Sequence, residues 1–114
     1  MPSSINTSVS ALLALGKKQA VTANNIANSE SREFNKSRTL LEEGKNGSVT
    51  AQTQPVNTPG TKILQSDGTL EEQSNVDLVA ETVSLIPTKH AYQANLKALQ
   101  TSAEMEDSTL DLIG

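Results

Sequence analysis

Few residues of this chain are of the types that carry out catalytic chemistry. The 114 residues include one histidine, His90, and no cysteine, so the sequence offers no nucleophilic thiol and no cysteine-based metal site. His90 follows Lys89 in a helical pattern and falls between two apolar rows, which is typical of a solvated helix flank. A general base needs a positioned partner, and Glu81 and Glu104 lie too far along the same helix. We therefore expect a protein that is not an enzyme.

Two acidic pairs, Glu42-Glu43 and Glu71-Glu72, are the remaining candidates for metal binding. Both stand at the edges of expected strands or turns. Neighbouring residues on a strand point to opposite faces, so solvated charge is the better interpretation. No Gly-Lys-Ser or Gly-Lys-Thr sequence occurs, which excludes the usual phosphate-binding loop. The sequence thus predicts no metal and no cofactor.

The composition describes one small domain that can bury little apolar surface. Apolar residues make up 35% of the chain, and Phe34 and Tyr92 are its only aromatic residues. Independent stability is therefore expected to be marginal, and oligomerisation is an ordinary remedy. The net charge is −4 with scattered basic residues, which predicts no nucleic-acid partner. No apolar stretch is long enough to span a bilayer, and the N-terminus lacks the features of a cleaved signal peptide.

The segment from residue 74 to 111 carries the strongest pattern in the chain. After a polar start at Ser74 and Asp77, apolar residues recur in two interleaved rows with a seven-residue repeat. One row holds Leu78, Leu85, Tyr92 and Leu99, and the other holds Thr82, Leu96, Ala103 and Leu110. This spacing predicts a helix over 75–111 that buries a narrow seam against other helices. A helix of about 35 residues is about 50 Å long, longer than so small a core can cover, so the seam indicates a partner.

Pro87 lies inside this pattern, where it removes a backbone donor and crowds the carbonyl of Val83. The helix is therefore expected to kink or to break at Pro87. A kink is favoured because the apolar row continues past the proline.

The N-terminus offers a partner helix within the same chain, predicted over 3–28 with Ser3 or Ser4 as its cap. Its rows hold Ile5, Leu12, Gln19 and Ile26, with Val9, Gly16 and Ala23 between them. Antiparallel pairing of the two helices would bring Val9 and Leu12 near Leu96 and Leu99. Two interpretations stay open: a plain two-helix hairpin core, or a rod-like element whose seam also meets other subunits.

Asn24, Asn25 and Asn28 mark the end of the first helix. Asparagine tolerates the left-handed conformation that terminates helices, so the helix should end near Asn28. Asparagine amides also form hydrogen bonds with nearby backbone groups. We expect these three side chains to satisfy the backbone where the chain enters the middle segment, and in an assembly to bridge to a neighbour near Asn95.

The middle of the chain, residues 31–73, is rich in Gly, Pro, Thr, Gln and Asn. Asn46-Gly47 and Asp67-Gly68 are hairpin signals, around which residues 39–41 can pair with 48–50 and residues 61–64 with 69–70. The predicted fold class is mainly α with a small β segment. An antiparallel, coiled-coil-like pair of terminal helices, in segments 1–30 and 74–114, encloses a short β-hairpin region at 31–73 in one structural unit.

Short asparagine-containing motifs lie near both ends of the chain. Residues 23–28 read Ala-Asn-Asn-Ile-Ala-Asn and are followed by Phe34, while Asn75 and Asp77 stand in Ser-Asn-Val-Asp-Leu-Val and Asn95 ends Ala-Tyr-Gln-Ala-Asn. In this order, the motifs resemble those of the flagellar basal-body rod and hook protein family. Residues 87–90 depart from that family's pattern, so the resemblance does not imply that the second helix is straight. The short middle is similar to that of the small proximal-rod proteins, particularly the C-type.

The resemblance implies a structural subunit of the proximal rod, which polymerises into the helical drive shaft that transmits torque. Its implied partners are other rod subunits, neighbouring basal-body proteins and the type III export apparatus. It also implies location in the periplasm-spanning rod of the basal body, after export without a cleaved signal. The alternative is a small export-associated adaptor or regulator that has rod-like helical ends but does not polymerise.

Overall fold

A computed structural model describes residues 2–113 of the chain, with side chains described from residue 4 onward. Its helices are α1 (Pro2–Ala27) and α2 (Leu78–Ile113), and its strands are β1 (Ser37–Glu43), β2 (Val49–Pro55), β3 (Lys62–Leu64) and β4 (Leu70–Glu72). The molecule is elongated, with extents of 78 × 24 × 14 Å. The predicted fold class, two terminal helices around a small β segment, is confirmed.

Two polar contacts fix the antiparallel register of α1 and α2. The Ser4 hydroxyl lies 3.5 Å from that of Ser102, and the Asn25 amide Nδ2 donates to Glu81 Oε1 at 3.2 Å. Ser4 and Asn25 are as many residues apart on α1 as Glu81 and Ser102 are on α2. A single register therefore describes the helix pair between these two contacts. Because α1 begins at Pro2, residues 105–113 of α2 extend beyond the described part of α1. We call these residues the overhang.

Small and polar side chains form the interface between the helices. On α1 the buried row holds Ser8, Ala11, Leu15, Thr22 and Asn25, and on α2 the facing row holds Glu81, Ser84, Thr88, Ala91 and Asn95, which are buried or half-buried. Both rows have the 3-4 spacing of a helix seam. They lie one residue before the apolar rows found in the sequence. Side chains of this size let the helices approach closely, whereas the larger apolar side chains are displaced to the flank.

The buried core is correspondingly small. Among the described residues the buried apolar side chains are Ala11, Ala14 and Leu15, and no large side chain is fully buried. A chain that removes so little apolar surface from water gains little free energy on folding alone. The expectation of marginal stability follows from the structure as well as from the composition.

The hairpin β1–β2 packs against α1, and the start of β1 lines a cavity together with Glu81 and Ser84 of α2. Ser10 accepts a hydrogen bond from the Val49 backbone at 3.0 Å, and Lys17 Nζ donates to the Ala51 carbonyl at 3.3 Å. Asn46 and Gly47 have φ values of 63° and 77°, so the expected turn residues adopt the left-handed conformation. The predicted register was wrong, however. The loop spans residues 44–48, and residues 39–41 pair with 51–53 instead of 48–50.

The second hairpin, β3–β4, follows the prediction closely. Leu64 pairs with Leu70, and Gly68 supplies a φ of 89° in the turn. Asp67 Oδ1 accepts hydrogen bonds from the hydroxyl and backbone N–H of Thr69, at 2.6 and 3.0 Å. These hydrogen bonds lower the pKa of Asp67 below its ordinary value, and the bond from the Thr69 hydroxyl has the largest effect. The turn is therefore favoured while this carboxylate is ionised.

Helix α2 begins three residues later than expected and continues through Pro87. The cap is Asp77, whose Oδ1 accepts from the backbone N–H groups of Val79 and Ala80 at 3.1 and 3.3 Å, while Ser74 accepts only from Val76. A carboxylate also interacts favourably with the positive end of the helix dipole. Pro87 lies inside one continuous helix, so no break occurs. The cap expected for α1 at Ser3 or Ser4 is wrong, because α1 begins at Pro2 and both residues lie within its first turn.

Asp77→Ala should lower the free energy of unfolding by about 1 kcal/mol, because two backbone donors lose their acceptor. Thermal unfolding followed by far-ultraviolet circular dichroism measures the change. Asp77→Asn keeps the acceptor oxygen and should be clearly milder. An equal loss in the two variants would contradict the capping role.

Candidate assembly surface

The residues first considered for chemistry do not form a reactive site. His90 is exposed, as are Glu42 and Glu43. Glu71 forms an ion pair with Arg32, and Glu72 Oε1 accepts from the Gly60 backbone at 3.1 Å. No group of three or more His, Cys, Asp or Glu residues within the described part of the chain is arranged to hold a metal ion.

Asn25 joins three parts of the fold through one side-chain amide. Its Nδ2 donates to the carbonyl of Ser37 at 2.7 Å and to Glu81, and its Oδ1 accepts from the Ser37 backbone N–H at 3.1 Å. The amide thus pairs with Ser37 as a neighbouring strand would. Asn25 is 2% exposed, and its bonds hold the end of α1, the start of β1 and the first turns of α2 together.

Asn75 performs a similar task before α2. Its Oδ1 accepts from the Lys36 backbone at 2.7 Å, and its Nδ2 donates to the carbonyls of Val56 and Thr58 at 2.8 and 2.9 Å. Its own backbone N–H donates to the carbonyl of Phe34 at 3.2 Å. This residue therefore ties the segments before β1 and after β2 to the approach of α2. The Phe34 side chain is half-buried at this junction.

The remaining motif asparagines form local hydrogen bonds. Asn28 Nδ2 donates to the carbonyl and to Oδ1 of Asn24, at 3.0 and 2.7 Å, and Asn28 Oδ1 accepts from the Ser31 hydroxyl at 2.9 Å. These bonds lie where α1 ends, at Ala27. Asn95 Nδ2 donates to the carbonyl of Ala91 on its own helix at 2.9 Å. The bridge from Asn24, Asn25 and Asn28 to a neighbouring subunit near Asn95 stays a prediction.

The apolar seam residues lie on the flank of the helix pair. Half-buried members are Ile5, Leu12, Ile26, Leu85 and Leu99, and exposed members are Val9, Ala23, Leu78, Tyr92, Leu96 and Leu110. Each successive residue turns 100° around a helix axis, so rows one position after the buried rows lie beside the interface. In an antiparallel pair this rotation brings both apolar rows to the same side of the molecule.

An apolar groove runs along this side, between α1 and α2, with a volume of about 480 Å³. Its lining residues are Gln19, Leu85, Lys89, Tyr92, Gln93 and Leu96. Tyr92 is 38% exposed and Leu96 49% exposed. Contiguous exposed apolar surface with a polar rim is characteristic of interaction sites. The groove is therefore the candidate assembly surface of the chain.

Sequence reasoning missed the inner face of the helix pair. The search followed large apolar residues, whereas the buried rows consist mainly of Ser, Thr, Ala and Asn. The 3-4 spacing of these small residues, one position before the apolar rows, was the available signal. The bond from Asn25 to Glu81 had no signal in the sequence, because it joins residues 56 positions apart.

A long helix pair with a polar inner face and an uncovered apolar groove defines a structural subunit made for assembly. Neither helix among residues 2–113 is long and apolar enough to cross a membrane. Residues 5–30 match the family described as flagella basal body rod protein, and residues 66–112 match the flagellar basal body rod FlgEFG protein C-terminal family.

A named relative extends the match to nearly the whole chain. The flagellar basal-body rod protein FlgC of Buchnera aphidicola subsp. Baizongia pistaciae (strain Bp) is 32% identical over 129 aligned positions, which cover 94% of this chain and 93% of the relative. The chain belongs to the flagellar basal-body rod protein family and is a structural subunit of the rod. The resemblance seen in the end motifs is confirmed, and the adaptor alternative is not favoured.

Asn25→Asp should destabilise the folded chain by about 2 kcal/mol or more. The change replaces a donor by an oxygen that faces the Ser37 carbonyl and Glu81, which leaves a buried group unsatisfied and charged. Chemical denaturation measures the loss. The matched control is Asn24→Asp, which is exposed and keeps the oxygen that accepts from Asn28. Equal stability of the two variants would contradict the role assigned to Asn25.

Proposed function

We propose that the chain polymerises with other rod subunits into the helical drive shaft of the flagellum, and that neighbouring subunits cover the apolar groove. The observation that carries the proposal is the exposure of Tyr92 and Leu96 on the flank of a helix pair whose own interface is already complete. Covering these side chains in an assembly would remove apolar surface from water, at about 25 cal/mol per Å².

The shape of the subunit suits this task. The groove is lined by residues of the two paired helices, in a molecule that is 78 Å long, so a neighbour can make contacts along the helices. Many moderate contacts then share the torque, and no single contact has to be strong. The residues that line the groove include none from hairpin β1–β2, so the hairpin leaves the groove uncovered.

Further parts of the proposal concern delivery and location. We infer that the subunit is exported by the flagellar type III apparatus without a cleaved signal, and that it lies in the periplasm-spanning rod beside neighbouring basal-body proteins. The small buried core, Ala11, Ala14 and Leu15, supports this because a marginally stable chain unfolds readily for transport. We also infer a purely structural role without catalysis. Segments 1–30, 31–73 and 74–114 act as one unit in it.

Tyr92→Ala combined with Leu96→Ala should prevent incorporation into basal bodies and abolish swimming, while the isolated chain keeps its stability. Both side chains are substantially exposed in the single subunit, so truncation costs little there. Once a neighbour covers them, truncating each large apolar side chain costs about 2–5 kcal/mol. Complementation of a strain that lacks its own copy, with immunoblots of purified basal bodies, tests the expectation.

Leu64→Ala is the matched control for this experiment. Leu64 is 67% exposed on β3 and does not line the groove, so its truncation should leave motility unchanged. Normal incorporation and swimming of the Tyr92→Ala, Leu96→Ala variant would count against the groove as an assembly surface.

A further inference from the structure

The overhang is an exposed helix end with an apolar side. Residues 105–113 are about 13 Å long at 1.5 Å per residue, and Met105, Leu110, Leu112 and Ile113 are exposed. Leu110 and Ile113 continue the 3-4 spacing of the groove-side row that passes through Leu99 and Ala103, and Glu106 occupies the position between Ala103 and Leu110. The apolar side of α2 therefore extends beyond the described part of α1, where no helix of the same chain packs against it.

Charge is divided unevenly between the overhang and the paired part of the helices. The overhang contains Glu106, Asp107 and Asp111 and no basic residue. Helix α1 has no acidic residue, and the paired part of α2 has two, Glu81, which bonds to Asn25, and Glu104, which directly precedes the overhang. The basic residues of this paired region are Lys17, Lys18, Lys89 and Lys97. An acidic helix end and a basic helix pair attract each other.

The groove combines the two features that such a helix end would need. Leu85, Tyr92 and Leu96 supply an apolar floor, and Lys89 is its one charged lining residue. We propose that the overhang of one copy docks in the apolar groove of a second copy, with Leu110 on the apolar floor and the acidic side chains toward Lys89. This inference rests on the proposed function, and it names the occupant of the groove.

The occupant must come from another molecule. Gln93 and Leu110 lie on one continuous helix, about 25 Å apart at 1.5 Å per residue, so the overhang cannot reach the groove of its own chain. The contact also joins two different surfaces, an end and a flank. Such a head-to-tail contact repeats in an open helical array rather than closing as a two-fold dimer.

Cysteine cross-linking tests the proposal directly, because the chain contains no cysteine of its own. A strain whose only copy carries Gln93→Cys and Leu110→Cys supplies basal bodies, which are oxidised mildly and separated under non-reducing conditions. The distance along the helix forbids a disulfide within one chain, since bridged Cα atoms lie at most about 7 Å apart. We expect a ladder at multiples of the 12.1 kDa chain.

The control pair is Leu64→Cys with Leu110→Cys, which should give no ladder because Leu64 lies outside the groove. Assembled, swimming cells without the Gln93–Leu110 ladder would overturn the inference while leaving the proposed function intact. A dimer formed by Gln93→Cys alone would indicate groove-to-groove pairing and would also overturn it. A cross-linked product whose mass shows that it contains a different protein would overturn the inference as well.

A second measurement applies if the double-cysteine variant does not assemble. Sedimentation velocity of the purified full chain should show self-association that weakens with added salt, because the contact includes exposed charges. Lys89→Glu should weaken it about fivefold, the effect of one well-placed surface pair, and Lys89→Glu with Asp107→Lys should restore it. The inference would be overturned if the double variant did not restore self-association. It would also be overturned if the purified chain did not associate at concentrations up to about 1 mM, which corresponds to a binding free energy of about 4 kcal/mol.

Discussion

The paired hydrogen bonds between Asn25 and the backbone of Ser37 are the constraint on which the arrangement of this chain depends. They let a helix residue act as a strand partner, so the chain passes from α1 into β1 without leaving buried backbone groups unsatisfied. The same amide reaches Glu81 and thereby sets the register of α2. Asn75 repeats the device at the other crossing point. With few large buried side chains to specify a packing, directional bonds have to specify it.

Polar residues occupy much of the buried interface between the helices, whereas many large apolar residues stay exposed. Ser8, Thr88 and Asn95 lie between the helices, while Tyr92 and Leu96 face outward. In a protein that functions alone, this arrangement would forfeit most of its hydrophobic stabilisation. Under the proposed function, the apolar surface is kept for contacts between subunits. The polar inner face satisfies itself locally, as when the Thr88 hydroxyl donates to the Ser84 carbonyl at 2.9 Å.

The sequence predicted the elements well and their relative rotation poorly. Heptad spacing identified α1 and α2, the asparagines marked the end of α1, and Asp67-Gly68 located a turn, because these features depend on local periodicity and backbone preference. The facing rows could not be read in the same way. Leu85 and Leu96 dominate the pattern by size, yet the interface is set by small residues and by the long-range bond to Glu81. The register of β1–β2 was missed because the loop spans residues 44–48, and its length is not encoded by Asn46-Gly47 alone.

Because both helices contribute to the groove, a neighbour that covers it, as proposed above, would couple assembly of this subunit to its folding. Gln19 comes from α1, whereas Leu85, Tyr92 and Leu96 come from α2, so the surface is complete only while the helices are paired. A neighbour that binds the groove therefore binds the paired state and not the separated one, and it stabilises pairing by mass action. The single chain then does not need high stability of its own. Under the proposed function, a subunit that is held in its final form by its neighbours could be loosely ordered before incorporation and would become rigid where torque has to be carried.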